Sequence, residues 1–301
     1  MGIADYGVNG KSTYSYQASN FVSWANFTTL SIGTSPIGCL GSQTQCMTIQ
    51  QNLVAYKVYE KGSKALASPD NSPDKKLKIA GEYWPQDVPF VAQSGSSFVV
   101  NELDNIWNFS SSTAEMNGQI FPNLLSQCSQ HGGQPQFYYC VGKATISTTL
   151  PFEIKIVLQT GILSSGTYSG HSYFEFGIWV YHSNSLVGGG WYDEVAFSAA
   201  KVKTAPYFFV SGSQNNPLGL YNDAETVLCG PGGGSSVKIN SISASLTEAY
   251  IPLTGGSLTP ISHAWSSGTD TAETVSNVQM SSSVAGVGTA GAGADNNVQL
   301  W

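Results

Sequence analysis

Three carboxylates stand beside aromatic neighbours in strand-like stretches of this chain: Asp104 in Asp104-Asn105-Ile106-Trp107-Asn108, Asp193 in Trp191-Tyr192-Asp193-Glu194-Val195, and Glu175 in Tyr173-Phe174-Glu175-Phe176. Two carboxyl groups held close together share a proton, one acting as base toward water while the other polarises a carbonyl. A glutamine beside a carboxylate orients water and stabilises an oxyanion, and Gln50 and Gln86 are candidates for that role. In acid this is the workable chemistry, because histidine is then protonated and cannot act as a base. Asp104, Asp193 and Glu175 are therefore the candidate catalytic residues. Gln50, Trp84, Gln86, Trp107 and Trp179 are the candidate substrate-binding residues, since aromatics and amides along a sheet face suit an extended polymer, peptide or glycan. Each has an ordinary structural explanation when taken alone. Asp104 and Asp193 could cap turns by accepting backbone N–H bonds, and aromatic stripes usually pack across strands. The case rests on the combination.

Other chemistries find less support. There is no Gly-x-Ser-x-Gly elbow, and no Ser/His/Asp spacing stands out. His131, His171, His182 and His263 are scattered, and no Cys pair has zinc spacing, so neither a metal nor another cofactor is expected. Gly230-Pro231-Gly232-Gly233-Gly234-Ser235 lacks the ending of a phosphate loop and reads as a turn.

The elements that must position these residues read as strands. Glu82 to Phe109 is a hairpin, its arms rich in Tyr, Trp, Phe and Val, broken by Gln93-Ser94-Gly95-Ser96-Ser97. Its arms carry four carboxylates, Glu82, Asp87, Glu102 and Asp104, in a chain with only 10% charged residues. Met47 to Glu60 reads as one strand of period two, with Gln50 and Asn52 on one face. Leu150 to Thr160 turns Phe152, Ile154, Ile156 and Leu158 one way. Ser172 to Ser183 sets Phe174, Phe176, Ile178 and Val180 against Tyr173, Glu175, Trp179 and Tyr181, and Trp191, Asp193 and Val195 are expected to share a face. Residues 61–78 read as an exposed loop, and Ser110 to Cys140 as an irregular surface excursion. No helical period of ordinary length precedes residue 200. The expectation is an all-β fold, an antiparallel β-sandwich of jelly-roll or concanavalin-like type. Residues 1–204 form its main domain with the candidate groove, 205–280 a second β unit or its closing strands, and 281–301 a flexible Gly, Ala and Ser-rich tail.

Composition narrows the setting. All twelve basic residues are Lys, against 19 Asp and Glu, giving net −7. Only Lys75-Lys76-Leu77-Lys78 hints at a basic patch, so a nucleic-acid partner is rejected. In strong acid the chain carries at most 16 positive side chains, 12 Lys and 4 His, which keeps self-repulsion modest and favours acid tolerance. Cys39 with Cys46 and Cys128 with Cys140 can each close a short loop in an oxidising compartment, leaving Cys229 single. Sequons at Asn26 and Asn108 offer N-linked glycan sites and agree with an extracellular location. No apolar run is long enough to span a membrane, and any signal peptide is read as already absent.

Taken together, the motifs resemble the thermopsin family of archaeal acid peptidases. The matching pieces run in family order: Gly2-Ile3-Ala4-Asp5-Tyr6-Gly7, Ile49-Gln50-Gln51-Asn52, Tyr83-Trp84-Pro85-Gln86-Asp87-Val88, the Asp104 and Asp193 motifs, Asn222-Asp223-Ala224-Glu225, the glycine-rich turn at 230–235, and Asp270-Thr271-Ala272-Glu273. The resemblance implies a secreted endopeptidase working in hot acid on polypeptides, cutting near large apolar side chains, without the DTG signature of pepsin-like enzymes. Gln51 and the Pro85 and Asp87 positions depart from the family pattern. The family pattern singles out no catalytic pair, so the assignment to Asp104, Asp193 and Glu175 is physical. A different class of function on the same scaffold is a non-catalytic envelope, sheath or glycan-binding sandwich, with the aromatic face stacking sugars.

Overall fold

The structure, a computed structural model, describes residues 3–6, 16–33, 38–53, 56–61, 77–108, 116–130, 137–197, 206–210, 224–229, 236–260, 264–265, 278–281, 284–287 and 297–299. Asp223, the turn at 230–235, residues 270–273 and most of the loop expected at 61–78 lie outside these residues, as do the side chains of Glu82 and Cys229.

The described chain is all-β, with two antiparallel sheets packed face to face. The six-stranded layer runs in the order β7 (Met116–Gln119), β12 (Ser185–Phe197), β11 (Ser172–His182), β10 (Phe152–Ile162), β2 (Tyr16–Ile32) and β15 (Ser236–Pro252). The seven-stranded layer runs β1 (Ile3–Tyr6), β14 (Ala224–Cys229), β3 (Cys46–Leu53), β5 (Leu77–Ser94), β6 (Ser97–Asn108), β9 (Phe137–Thr149) and β8 (Leu125–Gln130). At one edge β4 (Tyr56–Lys61) and β13 (Tyr207–Val210) join the layers, β4 pairing with β5 and β13, and β13 with β2.

Strict alternation of side chains builds the core between the layers. On β10, Phe152, Ile154, Ile156 and Leu158 turn inward, and on β11 Phe174, Phe176, Ile178 and Val180 do the same, all with at most 3% of their surface exposed. Phe174 is a hub, its ring 6.0 Å from Tyr83 and Phe208 and 4.8 Å from Phe197. Burying each such ring contributes about 1.5–3 kcal/mol, which holds the layers in one registration.

Several sequence expectations change in detail. The strand expected over 47–60 is two strands, β3 and β4, in different pairings. The stretch 110–140 is not wholly irregular, because β7 edges the six-stranded layer and β8 pairs with β9. Both short disulfides form, Cys39–Cys46 and Cys128–Cys140. The former closes a loop over Phe90 and Ala92 on the outside of the seven-stranded layer. Beyond residue 205, β13 pairs with β2, β14 with β3 and β1, and β15 with β2. Within 281–301, Val284–Val287 and Asn297–Gln299 pair with β15.

Candidate active site

The hairpin β5–β6 turns over two residues, Gly95 and Ser96, with Gly95 at φ +61° supplying the left-handed step such a turn needs. That turn fixes every cross-strand pair, and it sets Asp87 opposite Asp104 and Pro89 opposite Glu102. These residues share the parity of Val100 and Ile106 and therefore point between the layers. Across Asp104 on its other side lies Cys140 of β9, with Tyr138 opposite Ile106.

The facing strand supplies two inward residues in succession. Phe176 of β11 pairs with Asp193, but Gly177 pairs with Trp191, so Tyr192 is an extra residue in β12. This β-bulge lets Tyr192 and Asp193 both face the interior, which plain alternation forbids. It also turns Trp191 outward against Trp179, with ring centroids 5.1 Å apart. The expectation that Trp191 shares a face with Asp193 is thereby overturned. A second irregularity faces Glu102, where Asn101 pairs with Thr145 and Leu103 with Val141, so that 142–144 loop around the Glu102 carboxyl. The backbone at Ala144 hydrogen-bonds Glu102, and Gly142 leaves the room a side chain would deny it.

Four carboxyls thus meet inside the sandwich. Asp87, Asp104 and Asp193 are fully buried and Glu102 is 2% exposed. Burial pushes Asp87 well above the usual carboxyl range, against hydrogen bonds from Tyr192 and Gly177. Burial likewise pushes Glu102 up to about 7. Asp104 rises well above its ordinary value through burial, then through the charges of Asp193 and Asp87. The contributions that oppose these shifts are hydrogen bonds and not cations.

Hydrogen-bond geometry points the same way. Gly177 N donates to Asp87 Oδ2 at 3.0 Å, and the Tyr192 hydroxyl lies 2.8 Å from both Asp87 Oδ1 and the Leu103 carbonyl. That hydroxyl has one proton. All three groups are satisfied when Asp87 is protonated and donates to Tyr192, which then donates to Leu103. Asp104 is in hydrogen-bond contact with Asp193, and the Tyr192 hydroxyl beside it partly offsets the rise. Two carboxyl groups in hydrogen-bond contact need a proton on one of them, which makes Asp104 and Asp193 a proton-sharing pair. Asp104, Asp193 and Cys140 place their ligand atoms within 4.8 Å of one another, but the Cys140 sulfur is committed to its bridge and offers no thiolate.

A cleft of about 380 Å³ opens beside this cluster, lined by Glu102, Tyr192, Lys143, Ala144, Trp191 and the Gly189–Gly190 backbone, with Asn123 and Leu124 at its rim. Glycines in a strand let another chain approach the backbone closely. Tyr138, half-buried beside the pair, has its hydroxyl pushed up by burial and by the charges of Asp193 and Asp104.

The remaining candidates lie elsewhere. Glu175 is on the outside of the six-stranded layer, accepting a hydrogen bond from Gln159 Nε2, while Asn20 Nδ2 donates to Gln159 Oε1 at 2.7 Å. Glu194 stands beside it, raised to about 7 by burial and then by the charge of Glu175. Trp179 is on that outer face too, with Lys155 5.5 Å from its ring. Gln50, Trp84, Gln86 and Trp107 come together instead on the outside of the seven-stranded layer, where Trp84 and Trp107 stack at 6.4 Å and Gln86 Nε2 donates to Asn52 Oδ1 at 2.7 Å. The groove imagined from one shared face is therefore divided between opposite sides of the sandwich. Asn108 is 2% exposed, whereas Asn26 lines an open cavity of about 370 Å³. Tyr192, Tyr138 and Cys140 carried no signal of their own. Asp87 and Glu102 did, as members of an acidic hairpin.

Among the described residues, no helix is long and apolar enough to cross a membrane. The profile of the thermopsin family matches residues 74–278, which include every residue of the interior cluster. Thermopsin of Sulfolobus acidocaldarius is 26% identical over 202 residues, a stretch covering 65% of this chain and 55% of the relative. The chain thus spans a little over half the length of that relative. With a family match over more than half its length, the chain belongs to the thermopsin family.

Proposed function

We propose that the chain is an acid endopeptidase in which Asp104 and Asp193 activate the attacking water. The observation that carries this reading is the contact between two buried carboxyls that must share a proton. The ionised member takes a proton from water, whose oxygen attacks the scissile carbonyl. The protonated member donates a hydrogen bond to that carbonyl oxygen, and the proton gained from water passes to the leaving amine as the C–N bond breaks. Family membership supports peptide as substrate.

The cleft beside Glu102 and Tyr192 is the approach, with an extended peptide lying along the glycine run of β12. Leu124, an exposed apolar residue lining this cleft, suits a large apolar substrate side chain. In the closed state the pair is out of reach of solvent. β9 and β12 are not paired with each other, so their seam would open without breaking either ladder. Two disulfides and a sequon at Asn26 fit an extracellular setting.

The test is hydrolysis of an unfolded protein across pH 2 to 7 by wild type, Asp104→Asn, Asp193→Asn and Glu175→Gln. Wild type should cut only in acid and keep its activity under chelation. The two Asp variants should lose at least about 10³-fold while Glu175→Gln retains activity. Activity that survives both Asp substitutions and is lost with Glu175→Gln would move the chemistry to the Gln159–Glu175–Glu194 face. No cleavage at any pH, with saturable glycan binding, would favour a non-catalytic sandwich.

A further inference from the structure

The Cys128–Cys140 bridge is a direct cross-strand pair between β8 and β9, and its two ends differ. Cys128 is exposed on β8, whereas Cys140 is fully buried against the carboxyl pair. The Cys140 sulfur, one Asp104 oxygen and one Asp193 oxygen lie within 4.8 Å of one another. Neither Asp104 oxygen makes a well-formed hydrogen bond to an N–H or hydroxyl group, though the Tyr192 hydroxyl is near. We propose that once this bridge is reduced, Cys140, Asp104 and Asp193 form a binding site for one divalent cation of the zinc class, and that the bound ion blocks the carboxyl pair.

The chemistry balances with a dithiol as the reductant. Its thiolate attacks the reachable Cys128 sulfur, the S–S bond breaks, and the electron pair leaves on the Cys140 sulfur. The second thiol then resolves the mixed disulfide, leaving the dithiol oxidised and both cysteines reduced. A cation entering the cluster displaces the protons held by Cys140 and the carboxyls. One thiolate and two carboxylates suit zinc, which takes S and O ligands and leaves a fourth position for water. At bond lengths of about 2.0–2.3 Å, ligand atoms around a tetrahedral ion stand roughly 3.3–3.8 Å apart, so atoms that lie within 4.8 Å of one another need to shift by no more than about 1–1.5 Å. Three anionic ligands around a dication also leave far less uncompensated charge than three ionised groups alone. While the bridge is closed the thiolate does not exist. In a reducing compartment the site would form, and oxidation would expel the ion and release the pair.

The site depends only on the geometry of these three residues, so its test does not require peptide cleavage. Cobalt(II) is titrated at neutral pH into oxidised wild type, into phosphine-reduced wild type, and into Cys128→Ser, which leaves the Cys140 thiol without any reductant. Folding is followed by near-ultraviolet circular dichroism. The expected result is a cobalt–thiolate charge-transfer band saturating at one equivalent in the reduced protein and in Cys128→Ser, absent in oxidised wild type, and abolished by zinc. Adding Cys140→Ser to Cys128→Ser should remove the band, and adding Asp104→Asn should weaken binding by more than about tenfold. Folded Cys128→Ser without the band overturns the proposal. Loss of the fold in both bridge-free forms overturns it as well, since the bridge is then purely structural.

Discussion

Asp87 shows how a single side chain can be required to stay neutral. Its two oxygens face the Gly177 N–H and the Tyr192 hydroxyl, and Tyr192 must also serve the Leu103 carbonyl. An ionised Asp87 would compete with that carbonyl for the one hydroxyl proton. Removing the hydroxyl strands the Asp87 acid proton, at a cost of about 1–3 kcal/mol. Tyr192→Phe should therefore lose that much stability in urea denaturation at pH 2, below the ordinary value of 3.8, where Asp87 is protonated in either state. A change below about 0.5 kcal/mol would show that the hydroxyl is not the link between the layers. The same substitution leaves the contact between Asp104 and Asp193 in place. Stability lost with acid activity retained would mark Tyr192 as structural, whereas a shifted pH profile would mark it as positioning the pair.

On the scale of elements, the bulge in β12 decides what the site contains. It depends on Gly177, whose added Cβ would come within 2.6 Å of the Trp179 ring and 2.7 Å of the Trp191 ring. Those two rings already pack edge to face, so neither has room to yield. Gly177→Ala should cost about 1–3 kcal/mol and change the near-ultraviolet dichroism of the tryptophans. Unchanged stability and spectrum would mean that the rings do not hold the bulge. This element also marks where the sequence stops being readable. Alternation alone identified the inward faces of β10 and β11, because each carries an unbroken row of apolar residues. The pairing of Asp87 with Asp104 was within reach as well, since a two-residue turn at Gly95 and Ser96 fixes the hairpin register. Nothing in Trp191-Tyr192-Asp193 announces an extra residue, and one such residue exchanges the faces of Trp191 and Asp193 relative to simple alternation. Nor does a strand pattern say on which side of a sandwich its outer face lies. Gln50, Trp84, Gln86 and Trp107 lie on one outer surface, whereas Glu175 and Trp179 belong to the opposite one.

Across the whole molecule, the buried carboxyls set how stability responds to pH. The chain carries net −7 in total, yet several of its acids are held in places that favour the neutral form. Glu102 and Glu194 are raised to about 7, and Glu248 to about 8, each chiefly by burial. Glu248 is 2% exposed, and its Oε1 is approached by the Thr226 hydroxyl at 3.1 Å and the Ser23 hydroxyl at 3.5 Å. In every case the folded-state value lies above the ordinary 4.5, so between those two pH values the folded chain holds protons that the unfolded chain has released. The stabilisation is fully present below pH 4.5 and is lost as pH rises through 7 and 8. For Glu248 alone the preference for the acid form is on the order of 4–5 kcal/mol. Wild type should therefore melt at a higher temperature at pH 4 than at pH 8.5. Glu248→Gln keeps a neutral donor and acceptor at that position and cannot ionise, so it should match wild type closely at pH 4 and exceed it at pH 8.5. Thermal melts of both proteins at the two pH values decide the matter. A wild type more stable at pH 8.5 would mean that these acids are ionised in the folded chain. The proton-sharing account of Asp104 and Asp193, built on the same burial, would then lose its physical basis.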